Sequence, residues 1–180
     1  MILRLFLPSA VAPSLAEVDL DELAARGIDS LILDLDNTIA PWQRYDIPEK
    51  IARWIADAQS RGMKLCIASN TRNSKRLNII SERLSVYSVC KALKPRKLGF
   101  LSSMELMGST PSSTVVIGDQ LLTDICGGNR LGIYTILVDP LHKREFIGTK
   151  VSRVFEWLIL AWFRARGLMG NKAGAGAVTK

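Results

Sequence analysis

Cysteine is scarce in this 180-residue chain, and the three present, Cys66, Cys90 and Cys126, are odd in number. None stands in a C-x-x-C spacing, so neither a disulfide framework nor a thiolate metal site is expected. Cys66 and Cys90 sit inside apolar runs, where a free thiol packs as a small hydrophobe. A reducing, intracellular setting is the default that follows. Histidine occurs once, at His142. Long apolar runs are lacking as well. The best candidate for a membrane span, residues 151–169, is broken by Arg153, Glu156, Arg164 and Arg166, far short of about 20 apolar residues. At the N-terminus residues 2–7 are apolar, and Ala10-Val11-Ala12 looks like a small-x-small cleavage site. Arg4 and Pro8 interrupt that run and leave no adequate hydrophobic region for a signal peptide. The expected location is cytoplasmic.

Acidic residues are outnumbered, 17 against 24 Lys and Arg, for a formal net charge of +7. A basic balance suits nucleic acid, acidic lipid surfaces or phosphorylated substrates, without choosing among them. Hydrophobic residues at 48% and charged residues at 23% place the chain among ordinary globular proteins. Its length suits one domain with one sizeable core.

Short apolar runs alternate with helical patterns. Residues 30–35 (SLILDL), 64–68 (KLCIA), 86–90, 114–117 (TVVI) and 134–138 (YTILV) read as five strands. Near-continuous apolar strands are what a parallel sheet covered on both faces requires. Helices are expected over 48–61, 74–84, 97–107 and 122–131, with Pro48 in a first turn and Gly62 and Gly108 as stops. This alternation predicts an α/β fold, a doubly wound, Rossmann-like parallel sheet of five strands. Val151, Val154, Phe155, Leu158, Ile159 and Trp162 share one face of a further amphipathic helix. A single domain over 1–166 is expected, followed by a disordered Gly/Ala/Lys-rich tail over 167–180.

Four segments fall just past predicted strand ends, where open α/β sheets bind ligands. Asp34-Leu35-Asp36-Asn37-Thr38 offers two carboxylates, one able to attack an electrophile and one able to handle a leaving group's proton. Asp and Asn are also ordinary loop residues after strands. Yet Asp34 interrupts an apolar run, where an uncompensated carboxylate is costly, so a cation or partner is expected beside it. Ser69-Asn70-Thr71 could bind phosphate at a helix start or serve as plain N-caps. Lys94-Pro95 places a lysine at a loop tip, able to reach an anion or simply solvated, with Pro95 opening the next helix. Gly118-Asp119-Gln120-Leu121-Leu122-Thr123-Asp124 pairs two more carboxylates in a pattern suited to a hard cation such as magnesium. A helix N-cap would account for Asp124 but leave Asp119 without a role.

Taken together, the strings LILDLDNTIAPW, IASN, KALKP and GDQLLTDICGGNRLGIYTILVDP resemble the haloacid dehalogenase-like (HAD) phosphohydrolases. More narrowly they resemble the class IIIA, YqeG-like branch, which includes mitochondrial-type phosphatidylglycerophosphate phosphatases. The resemblance spans residues 6–156 and departs from the usual pattern at Thr71, where the family carries Asn. It implies that Asp34 attacks phosphorus and that Asp36 protonates the leaving oxygen and then activates water. It implies further that Ser69, Asn70 and Lys94 bind the phosphoryl group, with Lys94 also pairing with Asp34. Magnesium would be held by Asp34, the Asp36 main-chain carbonyl and Asp119, with Asp124 orienting a metal-bound water or the lysine. On this scheme the carboxyl of Asp36 should hold its proton more readily than that of Asp34. No histidine is needed.

The intervals from Thr38 to the KLCIA strand, and from Ser69 to Lys94, leave no room for the cap domains that usually confer specificity in this superfamily. An open site suits a phosphate carried on something large, and Trp42, Arg44 and Tyr45 could line its rim or merely pack in a loop. The leading expectation is dephosphorylation of phosphatidylglycerophosphate to phosphatidylglycerol in phospholipid synthesis. Arg4, Lys143, Arg144, Lys150, Arg153, Arg164 and Arg166 cluster towards the termini. The 151–162 helix could therefore lie at the inner face of a membrane, as a peripheral contact, or close the core instead. The alternatives are a phosphatase for a soluble phosphosugar, nucleotide or phosphoprotein, and a basic RNA- or ribosome-binding module. A module without chemistry has no reason to keep both aspartates of D-x-D with Ser69, Lys94 and Asp119, so nucleic acid is not an expected partner.

Overall fold

The computed structural model of the protein describes residues 2–142 together with Phe163 and Arg166. The expected helix over 151–162 and the tail over 167–180 lie outside the described residues, apart from Phe163 and Arg166 at their margin. Phe163 is buried.

Among the described residues the sheet has six parallel strands rather than five: β1 Ala10–Ala12, β2 Ser30–Leu33, β3 Lys64–Ala68, β4 Tyr87–Val89, β5 Thr114–Gly118 and β6 Tyr134–Val138. They lie side by side in the order β1-β6-β5-β2-β3-β4. The additional strand is Ala10-Val11-Ala12, which pairs with β6 at one edge of the sheet. Only three residues long and close to Pro8 and Pro13, it carries too little pattern to be read from sequence.

Register explains why the strands are apolar on both faces. Leu31 stands opposite Leu65 on one side and Val115 on the other. Leu31, Leu33, Leu65, Ile67, Val115 and Ile117 point into one buried cluster, and Ile32, Cys66, Ala68 and Val116 into a second. Alternate residues of a pleated strand face opposite ways, so a sheet covered twice needs both sets apolar.

Helix α2 (Glu49–Ser60) covers the first face through Ile51, Trp54, Ile55 and Ala58, an i, i+3, i+4, i+7 stripe. Beside it, α1 (Leu20–Ala25) is capped by Asp19, which accepts from the N–H groups of Asp21 and Glu22. The Trp54 indole N–H donates to the Val18 carbonyl at 2.8 Å, tying α2 to the segment before α1. Helix α3 (Ser74–Leu84) adds Leu77 and Ile80 to the same cluster. Helix α4 (Lys97–Met107) packs Phe100, Met104 and Met107 on the second face. The helix expected over 122–131 is shorter and broken, a π-helical turn Leu121–Ile125 followed by α5 Cys126–Asn129. All three cysteines are free. Among the described residues no helix is long and apolar enough to cross a membrane.

Candidate active site

The chain runs outward from β2 to β3 and β4, then returns to the other flank of β2 with β5 and β6. A crevice is therefore left beyond the carboxyl ends of β2 and β5, at the point where the winding reverses. Asp34 follows β2 directly, and its N–H donates to the Ile117 carbonyl of β5 at 3.0 Å. Asp119 follows β5 and Ser69 follows β3. An open cleft of about 430 Å³ is lined by Asp34, Asp36, Ser69, Asn70, Arg72 and Lys94, among others.

Lys94 does not stand at a loop tip, and its ammonium reaches Asp34, the pairing that the resemblance implies. It is buried, with Nζ 2.5 Å from Asp34 Oδ1 and 2.6 Å from Asp124 Oδ1. Nor does Pro95 open a helix, since α4 begins at Lys97 with Arg96 as its N-cap and the Lys94–Pro95 peptide is cis. The Asn70 side chain holds the Lys94 main chain from both sides. Its Oδ1 accepts from the Lys94 N–H at 2.7 Å, and its Nδ2 donates to the Lys94 carbonyl at 3.0 Å. Burying an ammonium is tolerated only with such partners in place.

Asp124 reaches Lys94 because the π-helical turn aims it back towards the strand tips, where the Gln120 N–H donates to its Oδ2 at 3.2 Å. Gly118 makes room for it. A Cβ added there would lie 2.4 Å from the Asp124 carboxyl carbon, closer than real contacts allow.

Asp34, Asp119 and Asp124, all buried, offer carboxylate oxygens within 4.8 Å of one another. Among the described residues the ammonium of Lys94 lies against two of these carboxylates, and Asp34 Oδ2 is buried with no hydrogen-bond partner. An all-oxygen, anionic set of this kind fits a hard divalent cation. Burial pushes the Asp34 carboxyl up to about 7, against the attraction of Lys94 and with the repulsion of Asp124. Burial also works against the charged form of Lys94, but Asp124 and Asp34 outweigh it and hold the ammonium above its ordinary value. From the protein groups alone, then, the Asp34 carboxyl is pushed up. Burial among like charges is the cause, and a bound cation would reverse it.

The side chain of Asp36 lies outside that cluster. Its Oδ1 accepts from Arg76 Nη1 at 2.7 Å. Arg76 is buried and also donates through Nε to the Arg44 carbonyl at 2.7 Å and through Nη2 to the Pro41 carbonyl at 3.2 Å. This arginine was missed by sequence reasoning although a signal exists. Position 76 falls beside Leu77 and Ile80 on the inward stripe of α3, and an arginine facing a core must be paired. Loop 36–42 is tightly folded, with Asn37 in a left-handed conformation and its N–H donating to the Ala40 carbonyl at 2.7 Å. No cap stands among the residues between β2 and Lys94, which hold only that loop, α2, β3, α3 and β4. Ser69 is buried at the cleft, its Oγ accepting from the Thr71 N–H at 3.1 Å. Trp42 is half-buried and lines the cleft, whereas Arg44 and Tyr45 are exposed.

A family model described as HAD-hydrolase-like matches residues 92–140. The probable phosphatase YqeG of Bacillus subtilis is 34% identical over 167 residues, covering 93% of this chain and 96% of that one. The chloroplastic phosphatidylglycerophosphate phosphatase 1 of Chlamydomonas reinhardtii is 26% identical, covering 88% of this chain and 62% of that one. Among solved structures, the cobalt-bound deoxy-D-mannose-octulosonate 8-phosphate phosphatase of Haemophilus influenzae superposes with a TM-score of 0.51 at 17% identity. It covers 79% of this chain and 91% of that one, a likeness of fold. With the four strand-end segments gathered at one crevice and a near full-length relative at this identity, the chain belongs to the haloacid dehalogenase-like phosphatases, in the branch of YqeG.

Proposed function

We infer that this phosphatase works through Asp34 as nucleophile, with magnesium as its cation and phosphatidylglycerophosphate as its substrate. The observation that carries the mechanism is the buried Asp34–Lys94–Asp124 chain of ion pairs beside Asp119. The metal would be held by Asp34, Asp119, Asp124 and the Asp36 main-chain carbonyl. Its chemistry there is to neutralise the charge that keeps a carboxylate from a phosphate.

In the first displacement an Asp34 oxygen bonds to phosphorus while the ester P–O bond breaks, and Asp36 gives its proton to the leaving oxygen. In the second, water attacks the aspartyl phosphate, Asp36 takes the water's proton, and phosphate leaves with Asp34 regenerated. Dividing hydrolysis in this way makes each step easier. Lys94 and Ser69 hold the phosphoryl oxygens, and Asn70 places Lys94 by clasping its main chain. Arg76 is a positioning residue that fixes the Asp36 carboxylate against loop 41–44. The catalytic unit is one domain over residues 1–166.

The lipid substrate is supported by the similarity to a phosphatidylglycerophosphate phosphatase, by the open cleft and by the net charge of +7. Purified protein should release phosphate from phosphatidylglycerophosphate in mixed micelles faster than from soluble sugar or nucleotide phosphates, with Asp34→Asn inactive on all of them. Preference for a soluble ester would move the substrate to that class.

A further inference from the structure

The segment that delivers Lys94 to the site alternates sharply between inside and outside. Ala92 and Lys94 are buried, whereas Lys91, Leu93, Arg96, Lys97 and Leu98 are exposed. Leu93 is 51% exposed, Leu98 66% and, one turn further along α4, Leu101 46%. Single exposed leucines are common. Three within nine residues, in the stretch that carries the cleft-lining Lys94, are not.

Lys91 and Leu93 also hold left-handed backbone, φ 52° and 53°, a conformation unfavourable for leucine. The conformation turns Lys94 inward and leaves Leu93 facing solvent, and among the described residues the leucine gains no burial in return. Charge completes the pattern, for no Asp or Glu occurs between Glu82 and Glu105. The exposed Arg130 adds a further cation by donating to the Pro95 carbonyl at 3.3 Å.

We propose that residues 91–101 form a docking edge for an anionic phospholipid membrane, with Leu93, Leu98 and Leu101 entering the interface and Lys91, Arg96 and Lys97 meeting the headgroups. Apolar side chains interleaved with cations are the composition that binds such surfaces. Lys94 lies within this stretch, so docking would bring the cleft down onto the headgroups without the lipid leaving the bilayer. The proposal rests on the lipid-substrate reading for its purpose but not for its test.

The test is co-sedimentation of the full chain with vesicles of phosphatidylcholine alone and of phosphatidylcholine mixed with phosphatidylglycerol. Two variants accompany the parent, Leu93→Glu with Leu98→Glu, and Lys91→Gln with Arg96→Gln and Lys97→Gln. Hydrolysis of soluble p-nitrophenyl phosphate reports that each variant is folded. The parent should sediment with the anionic vesicles and not with the neutral ones. The triple charge variant should bind more weakly by on the order of a hundredfold, with soluble hydrolysis unchanged. Parent-like sedimentation of both variants would overturn the proposal. So would loss of a dimer by light scattering without loss of vesicle binding, which would make the patch a contact with a second copy of the chain. If the variants lose vesicle binding while the parent prefers soluble esters, the substrate reading fails and the docking edge stands. If the parent prefers the lipid and vesicle binding is unaffected, the reverse holds.

Discussion

Lys94 is compensated on two sides, so its removal should be felt in both stability and rate. Lys94→Met leaves Asp34 and Asp124 facing each other without a cation between them. Breaking a buried pair in this way costs about 3–5 kcal/mol. With magnesium present to offset part of that, the folded variant should hydrolyse phosphate esters roughly a hundredfold to a thousandfold more slowly. Urea unfolding and steady-state kinetics check the two effects separately. Arg76 should reveal itself differently. Arg76→Lys keeps a charge but loses the fork that grips Asp36 and the two loop carbonyls. A misplaced general acid harms esters with poor leaving groups most. Hydrolysis of an alkyl phosphate should fall roughly tenfold to a hundredfold, while p-nitrophenyl phosphate, whose leaving group needs no proton, changes by only a few-fold. Equal losses on both would reduce Arg76 to a structural brace.

At the scale of elements, the meeting of β5 with the π-helical turn is the tightest fit in the site. Gly118→Ala would press a methyl against the Asp124 carboxylate. Magnesium affinity, measured by titration calorimetry, should fall at least about tenfold. Gly62→Ala is the control. It strains a left-handed position, φ 78°, with nothing within 4 Å, and should cost about 1 kcal/mol of stability while leaving ion affinity unchanged. These same elements show what could be read in advance. The strands around the site were legible because a doubly covered parallel sheet makes them apolar throughout, and a carboxylate ending such a run, as Asp34 does, announces itself. Strand β1 was not, because three residues carry no period. Helix α1 is six residues long and drew no expectation, although Asp19 caps it. The break in the expected 122–131 helix was hidden because a π-helical turn depends on where Asp124 must point, not on local propensity. The burial of Lys94 was not legible from its own neighbours, since it depends on carboxylates distant in sequence, although the family resemblance implied its pairing with Asp34.

Across the whole molecule, the carboxylate cluster should make stability depend on pH and on the cation together. Asp34 is pushed to about 7 in the fold from an ordinary 3.8. A raised carboxyl stabilises the fold fully below the lower value, and that contribution is lost as pH rises through the higher one. Chelator-treated protein should therefore lose thermal stability between about pH 4 and about pH 7, a slope that Asp34→Asn removes. Magnesium needs the ionised carboxylate, so its gain in melting temperature should be large above about pH 7 and small below about pH 6. Passage of phosphorus through Asp34 can be trapped by acid-quenching Asp36→Asn during turnover of phosphate-labelled p-nitrophenyl phosphate with magnesium. That substitution spares formation of the aspartyl phosphate from a good leaving group and slows its hydrolysis. Labelled protein that hydroxylamine discharges is expected, and none when Asp34→Asn is added or the ion is chelated. Label that persists in the double variant, or turnover by the parent with no label ever trapped, would contradict passage through Asp34.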